Sequence, residues 1–250
     1  MAKRLGGGAG IEYKFIWGRH LKAFSRNRCA RRIAKIKKLP KKKENMQGYI
    51  LQTKPVRDED LLVWILTPAR LVCCYRFYGA RHGAISQGFK LDFELEQKAG
   101  FLPHLKGTMH LGLAWLHDRE RLLAWQSFLR VLWTHLKDSD ECEEFYFLLL
   151  EDCAKRLERQ NPKRALLEAY LQLLAFEGRL SREAQCFLCA RNVAENELCV
   201  ARGFLLAHKT CLGKNSFEKK RVLNAFKQKS CINLSDDEVT KLYYIMLEGL

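Results

Sequence analysis

The order of apolar and polar positions divides this chain into a strand-rich first part and a helical second part. Between residues 48 and 96, short apolar or alternating runs end at Pro, Gly or polar residues, which is typical of β-strands. These runs predict five strands, over 48–52, 60–67, 71–78, 84–89 and 90–96. Five short strands in about fifty residues favour a small, partly open β-barrel of the OB-fold type, with an SH3-like barrel as the alternative.

After Pro103 the apolar residues recur every three or four positions, which indicates amphipathic helices. The pattern predicts helices over 111–137, 145–159, 162–178, 216–229 and 235–247. Apolar residues surround nearly the whole start of the second helix, so we expect it to lie at the centre of the core. Asn161 before Pro162, and a capping box from Ser235 to Glu238, mark two helix starts.

Four candidate metal ligands stand in two pairs, Cys186 with Cys189 and His208 with Cys211. Thiolates and imidazole suit Zn²⁺, and two residues between paired ligands let both reach one tetrahedral ion. One alternative is that these cysteines are plain core thiols; another is that Cys199 takes the fourth position. Four protein ligands would close the site, so we expect a structural zinc and no catalytic metal.

The expected fold is of the α+β class, a small N-terminal OB-fold barrel followed by an all-α domain with an inserted zinc element. We expect the barrel at residues 46–100, the helical domain at 101–250 and the zinc element at 186–211. Within this element, residues 197–207 predict a strand, a turn and a second strand.

Residues 1–45 differ from the rest of the chain in charge and pattern. They carry 15 Lys and Arg against two Glu, which is +13 of the chain's net charge of +16. The residues directly before Met46 read Lys-Lys-Lys-Glu-Asn, as a translated purine-rich ribosome-binding site would. We therefore favour Met46 as the true start of translation; the alternative is a disordered basic arm that helps to hold nucleic acid.

A candidate nucleic-acid face lies on the third predicted strand. Alternation places Arg76 and Tyr78 on one face, and Arg81 and His82 follow in the next turn. Cations beside aromatic rings bind single strands through phosphate attraction and base stacking. The alternative is that Tyr78 is partly buried and Arg76 only solvated.

A second basic region follows the zinc element. Residues 202–230 contain eight Lys and Arg and one acidic residue, whereas residues 137–158 contain three Lys and Arg and eight acidic residues. The basic residues after the second ligand pair are Lys214, Lys219, Lys220, Arg221, Lys227 and Lys229. They predict a nucleic-acid contact or, alternatively, a solvated helix face.

Several classes of protein are disfavoured by missing motifs. The chain has no phosphate-binding loop, no deaminase signature, no zinc-protease signature and no nucleophile elbow, so we expect no enzymatic activity. It has no apolar run long enough to span a membrane and no secretory signal. Ten cysteines without such a signal indicate a reducing cytoplasm and metal binding.

This order of elements resembles the bacterial RecO family of recombination mediators over residues 46–250. The similarity rests first on the opening strand from Gly48 to Leu51 and on the acidic-to-apolar run 58–63. It continues with Thr67, the turn 79–82 and the helix that leads into Cys186. Three positions depart from the family. His208 replaces a more usual cysteine, and His82 stands where Arg is usual. The family commonly has two glycines shortly before the second ligand pair, whereas this chain has only Gly203, farther away.

The resemblance implies a non-enzymatic protein of the cytoplasm and nucleoid. It would bind single- and double-stranded DNA, anneal complementary strands, contact the single-strand-binding protein, and with RecR help to load RecA onto gapped DNA. The implied DNA face is Arg76, Tyr78, Arg81, His82 and Lys90. The alternative is a zinc-stabilised adaptor that binds mainly protein.

Overall fold

The structure is a computed structural model of the chain, and it describes residues 46–81, 83–139, 141–181 and 183–250. The basic segment 1–45, with the two hypotheses about it, lies outside the described residues, and so does His82.

Five strands close into a barrel in the order β1-β2-β3-β5-β4. They are β1 (Met46–Pro55), β2 (Leu61–Leu66), β3 (Leu71–Arg76), β4 (Lys90–Glu96) and β5 (His104–Leu111). β1 pairs antiparallel with both β2 and β4, whereas β3 and β5 are parallel neighbours. A closed, OB-like barrel followed by helices confirms the predicted α+β fold.

The barrel closes around side chains that alternate along each strand. In β4, Leu91 and Phe93 are fully buried, while Asp92 between them is partly exposed. In β3, Val72 and Cys74 point into the same core. Burying an apolar side chain of this size stabilises a fold by about 1.5–3 kcal/mol, so the barrel has an apolar core of its own.

The predicted strand over 84–89 is wrong. The segment contains turns, and Gly88 has a φ of +95° and packs so closely on Trp125 that a Cβ there would lie 2.9 Å from the ring. The fifth strand is instead β5, beyond residue 100, where we expected the helical domain to begin. Because β5 buries only Leu105, its sequence shows no clear alternation.

Six helices follow in the described part of the chain. They are α1 (Arg119–Leu136), α2 (Glu144–Arg156), α3 (Pro162–Phe176), α4 (Lys209–Leu212), α5 (Lys219–Gln228) and α6 (Asp236–Leu247). Two predicted starts are confirmed: Asn161 caps α3, and Ser235 with Glu238 forms the capping box of α6. The first helix starts at Arg119 and not near 111, because β5 runs to Leu111 and Asp118 caps α1.

The second helix is less buried than its apolar sequence predicts. Tyr146, Phe147, Leu149 and Leu150 are buried, but Leu148 is 53% exposed. The prediction that α2 lies at the centre of the core is therefore wrong for the face that carries Leu148.

Barrel and helices pack against each other through several side chains, among them Tyr49. The Tyr49 ring of β1 lies 5.8 Å from the rings of both Trp125 on α1 and Phe147 on α2. The Trp125 indole N–H donates to the Gly88 carbonyl at 2.9 Å. These contacts position the barrel directly on the helices.

The element that carries the four candidate metal ligands, called the metal-binding element below, lies between α3 and α5. It is a three-stranded sheet in the order β7-β6-β8, formed by β6 (Glu197–Val200), β7 (Leu206–Ala207) and β8 (Ser216–Glu218). The strand, turn and strand predicted over 197–207 are confirmed. The helix predicted from 216 begins at Lys219, because β8 pairs with β6 first. None of the helices in the described residues is long and apolar enough for a membrane span.

Candidate metal centre and nucleic-acid interface

The two predicted ligand pairs meet at one point. Cys186 and Cys189 lie in a turn after α3, His208 follows β7, and Cys211 lies in α4. Their four candidate ligand atoms all lie within 4.8 Å of one another. Cys199 is fully buried in β6 opposite Ala207 and is not part of the cluster, so the fourth member is His208.

Local backbone geometry explains how each pair turns its side chains to the same side. The Ala190 N–H donates to the Cys186 carbonyl at 2.8 Å, and Ala190 has a φ of +58°, which closes the first turn tightly. After Cys211, Gly213 has a φ of +73° and ends α4. Glycine favours this conformation, which explains its position directly after the second pair.

The electrostatic surroundings favour a thiolate at Cys186. Burial raises the pKa of this thiol, but hydrogen bonds from the backbone N–H groups of His208, Cys189 and Leu188 and from the His208 side chain together outweigh it and lower the pKa to about 6. A thiolate is the form that binds metal, so Cys186 itself is largely in its ligand form at neutral pH. The pKa of Cys211 is instead raised, by burial and by the neighbouring Cys186 and Cys189 sulfurs.

The His208 ring is oriented for ligation through Nδ1. This atom lies 3.4 Å from the Cys189 sulfur and 3.8 Å from the Cys211 sulfur. On the opposite side, Nε2 lies 3.1 Å from the Asn192 carbonyl oxygen, to which a protonated Nε2 donates. A hydrogen bond of this kind fixes the tautomer that leaves the Nδ1 lone pair free for a metal. Three sulfurs and one imidazole nitrogen thus fit a tetrahedral, soft-ligand site.

Arg76 does not lie on an outward face of β3, as the predicted nucleic-acid face required. Because Val72 and Cys74 fill the barrel core, the face that Arg76 shares with them points inward, and its Nη1 donates to the Leu105 carbonyl at 2.9 Å. Tyr78 lies outside the strand, at a φ of +51°, and the residue is 58% exposed. The change of direction at Tyr78 breaks the alternation that placed both residues on one face.

Lys90 does not lie on an open surface. Its ammonium is 2.6 Å from the Glu151 carboxylate on α2 and 5.7 Å from the centres of the Tyr49 and Phe147 rings. The side chain is only 16% exposed. The predicted surface position of Lys90 is therefore wrong, since the residue connects the barrel to α2.

Arg81 does lie at the surface beside Tyr78. Its guanidinium is 5.3 Å from the centre of the Tyr78 ring and forms an ion pair with Glu59. Gly79 in the same turn is buried, and a Cβ there would be 2.9 Å from Leu61. This lack of space explains the glycine of the Gly-Ala-Arg turn.

Further aromatic side chains at this end of the barrel were missed from the sequence. Phe77 is 51% exposed, and its ring contacts Tyr75 at 4.9 Å and His104 at 5.0 Å. Phe101, in the loop between β4 and β5, is 65% exposed. That loop lies beside β3, because the Tyr75 N–H donates to the Pro103 carbonyl at 2.8 Å.

Asp60 connects two members of this group, Tyr75 and Tyr78. Its carboxylate accepts hydrogen bonds from the Tyr75 hydroxyl and, at 2.7 Å, from the Tyr78 N–H. These two bonds, the Tyr75 hydroxyl first, lower the pKa of Asp60. We call the group Tyr75, Phe77, Tyr78, Phe101 and His104, with Arg81, the barrel rim. The signal that could have found part of it is the aromatic run Tyr75, Phe77 and Tyr78 at the end of the predicted strand 71–78.

The basic residues after the metal cluster fall into two groups. Lys219 donates to the Val193 and Ala194 carbonyls at 3.0 and 3.1 Å, and Arg221 pairs with Glu218 and Glu238. These two therefore stabilise the local structure. By contrast, four exposed lysines form no ion pair within the described residues: Lys214, Lys220, Lys227 and Lys229.

The barrel and the helices behind it define an OB-fold protein with a helical region. A family model described as "RecO N terminal" matches residues 46–116. The match spans all five barrel strands and ends before α1, so it supports a RecO-like family on the evidence of the barrel. No curated protein matches the chain.

Proposed function

We propose that this protein is a non-enzymatic, DNA-binding recombination mediator that holds single-stranded DNA on the barrel rim. The observation that carries the proposal is the set of exposed aromatic rings on an OB-like barrel whose sequence matches the RecO N-terminal family. OB-folds bind oligonucleotides on the strand β2–β3 face and on the β1–β2 and β4–β5 loops, and the barrel rim lies between these loops.

The chemistry of the barrel rim supports single strands in particular. Unpaired bases offer a ring face, and each base stacked on an aromatic side chain contributes about 1–3 kcal/mol. Arg81 beside Tyr78 supplies a cation for the phosphate that joins two stacked bases. Lys214 and Lys220, exposed beyond the metal cluster, offer a second cationic surface for duplex DNA or for the second strand during annealing.

By the same similarity, we propose that the protein anneals complementary strands and acts with RecR and the single-strand-binding protein to load RecA in DNA repair. The metal in this proposal is Zn²⁺, bound by Cys186, Cys189, His208 and Cys211. Four protein ligands leave no open position, so the role assigned to the ion is structural.

Strand annealing tests the proposal. The 250-residue chain should accelerate pairing of two complementary fluorescent oligonucleotides, and Arg81→Ala should slow this several-fold because one phosphate contact is lost. Arg130→Ala is the matched control, since it removes an equal charge from an exposed site on α1. Equal annealing rates for Arg81→Ala and Arg130→Ala would remove the barrel rim from the proposal.

One observation favours a second candidate, a zinc-stabilised adaptor that binds mainly protein. Phe187 and Leu188, between the first two ligands, are exposed, and so is Leu205 in the turn after β6. The Phe187 N–H donates to the Leu206 carbonyl at 2.9 Å, which brings these apolar residues together. An adaptor would show no salt-dependent affinity for DNA, whereas a DNA-binding protein that neutralises several phosphates must.

A further inference from the structure

A partly exposed apolar surface lies on α2 and α3 and shares no residue with the barrel rim or the metal ligands. It consists of Phe145, Leu148 and Phe176, and we call it the α2–α3 surface. We propose that it binds a basic segment of a partner protein through apolar anchor residues. This proposal does not depend on DNA binding, because none of its residues belongs to the barrel rim or to the basic residues after the metal cluster.

The two aromatic rings of this surface are stacked at the protein's exterior. The Phe145 and Phe176 ring centres are 3.8 Å apart and their planes differ by 7°. Leu148 stands one helical turn from Phe145 on α2, and Leu148 and Phe176 are both exposed. Large apolar side chains that cluster at the surface in this way mark interaction sites, whereas scattered ones do not.

The surface is also held rigidly. The Glu177 carboxylate, directly after α3, accepts a hydrogen bond from the Tyr146 hydroxyl and lies 2.8 Å from His135 Nε2. The Tyr146 ring meets the Phe176 ring edge-on at 5.8 Å. Because α1, α2 and α3 are connected at this point, the rings need no reordering when a partner binds, which lowers the entropic cost of association.

Charge identifies the occupant. The segment 138–144, which leads into Phe145, contains five acidic residues and no basic one. Glu141, Glu143 and Glu144 are exposed and form no ion pair within the part of the chain that the structure describes. The acidic residues would repel nucleic acid but attract the lysines and arginines of a basic segment. An apolar anchor residue of the same segment would pack on the α2–α3 surface.

Two synthetic helical peptides test this inference. Both carry fluorescein and leucines at the same positions, but one has lysines and the other glutamates at its polar positions. Fluorescence anisotropy with the 250-residue chain should show that only the lysine peptide binds. Leu148→Ser should weaken its binding about tenfold, because the central apolar contact is lost. Glu143→Lys combined with Glu144→Lys should weaken it as well.

Ile232→Ser is the matched control, since it removes an exposed apolar side chain elsewhere and should change nothing. Equal affinity of the lysine peptide for Leu148→Ser and Ile232→Ser would overturn the proposal, and so would tight binding of the glutamate peptide. A parent protein that sediments as a dimer which Leu148→Ser dissociates would also overturn it, by making a second copy the occupant. Thermal unfolding checks that each variant is folded. If Leu148→Ser does not fold, the double variant Glu143→Lys with Glu144→Lys decides between the outcomes.

Discussion

The barrel rim and the metal-binding element hold their side chains in position by different means. At the barrel rim, Asp60 and the ring contacts fix Tyr75, Phe77, Tyr78 and His104 on a closed sheet that has its own apolar core. In the metal-binding element, the strands have only four, two and three residues, and the ligand pairs stand in the turns around them. Packing holds the first site, whereas we propose that a metal holds the second. Substitutions should therefore separate DNA affinity from stability.

The largest effect is expected when a metal ligand is removed. Cys186→Ser should abolish stoichiometric zinc binding and lower the free energy of unfolding by more than about 3 kcal/mol, because a buried ligand is lost. Zinc content by mass spectrometry and thermal unfolding check this.

Cys199→Ser is the control for this variant, since Cys199 is equally buried but is not part of the cluster. It should retain zinc and lose less stability. If Cys186→Ser kept its zinc, the assignment of the ligands would fail.

A smaller effect should follow where the barrel meets the helices. Lys90→Met leaves the Glu151 carboxylate without its cation in a poorly hydrated contact, so we expect a loss of about 1–3 kcal/mol in stability. Urea unfolding measures this loss, and the affinity for single-stranded DNA should stay at the parent value.

The double variant Lys90→Met with Glu151→Leu should recover part of the lost stability, because no unpaired charge remains. A fall in DNA affinity for Lys90→Met without any loss of stability would instead return Lys90 to the DNA-binding face.

The smallest effect concerns pH and Asp60. Hydrogen bonds from the Tyr75 hydroxyl and the Tyr78 N–H lower the pKa of Asp60 in the folded protein. The stability that the Asp60 carboxylate contributes is therefore fully present above its pKa in the unfolded chain. It is lost as the pH falls through its lower pKa in the folded protein. Between about pH 5 and pH 3, the melting temperature of the parent should therefore fall slightly more steeply than that of Asp60→Asn. Parallel curves would show that the Asp60 bonds contribute nothing to stability.

Much of the fold could be predicted from the sequence because its signals are local. Alternation in Lys90–Glu96 and the caps at Asn161 and Ser235 depend on neighbouring residues only. The spacing of the four metal ligands is local within each pair as well. β5 could not be predicted, because its pairing with β3 and β4 is long-range and it buries a single residue.

The errors at the nucleic-acid site have the same physical origin. Alternation groups Arg76 correctly with Val72 and Cys74, but this face points into the barrel, which the sequence does not reveal. Tyr78 leaves that face through a positive φ, which the Asp60 carboxylate stabilises from another loop. The role of Lys90 depends on Glu151 across the contact with α2. Asp60 and Glu151 are both far in sequence from the residues they fix, so neither strand periodicity, which placed Tyr78, nor the family resemblance, which placed Lys90, could reveal these surroundings.

The most direct test of the division between the two regions is the affinity for a fluorescein-labelled single strand, measured by anisotropy across salt concentrations. For Phe77→Ala combined with Tyr78→Ala, we predict a loss of about 1–3 kcal/mol per stacked base, with unchanged zinc content. Tyr244→Ala, an exposed tyrosine on α6, should bind like the parent. Parent-like affinity in the double variant would contradict the assignment of DNA binding to the barrel rim.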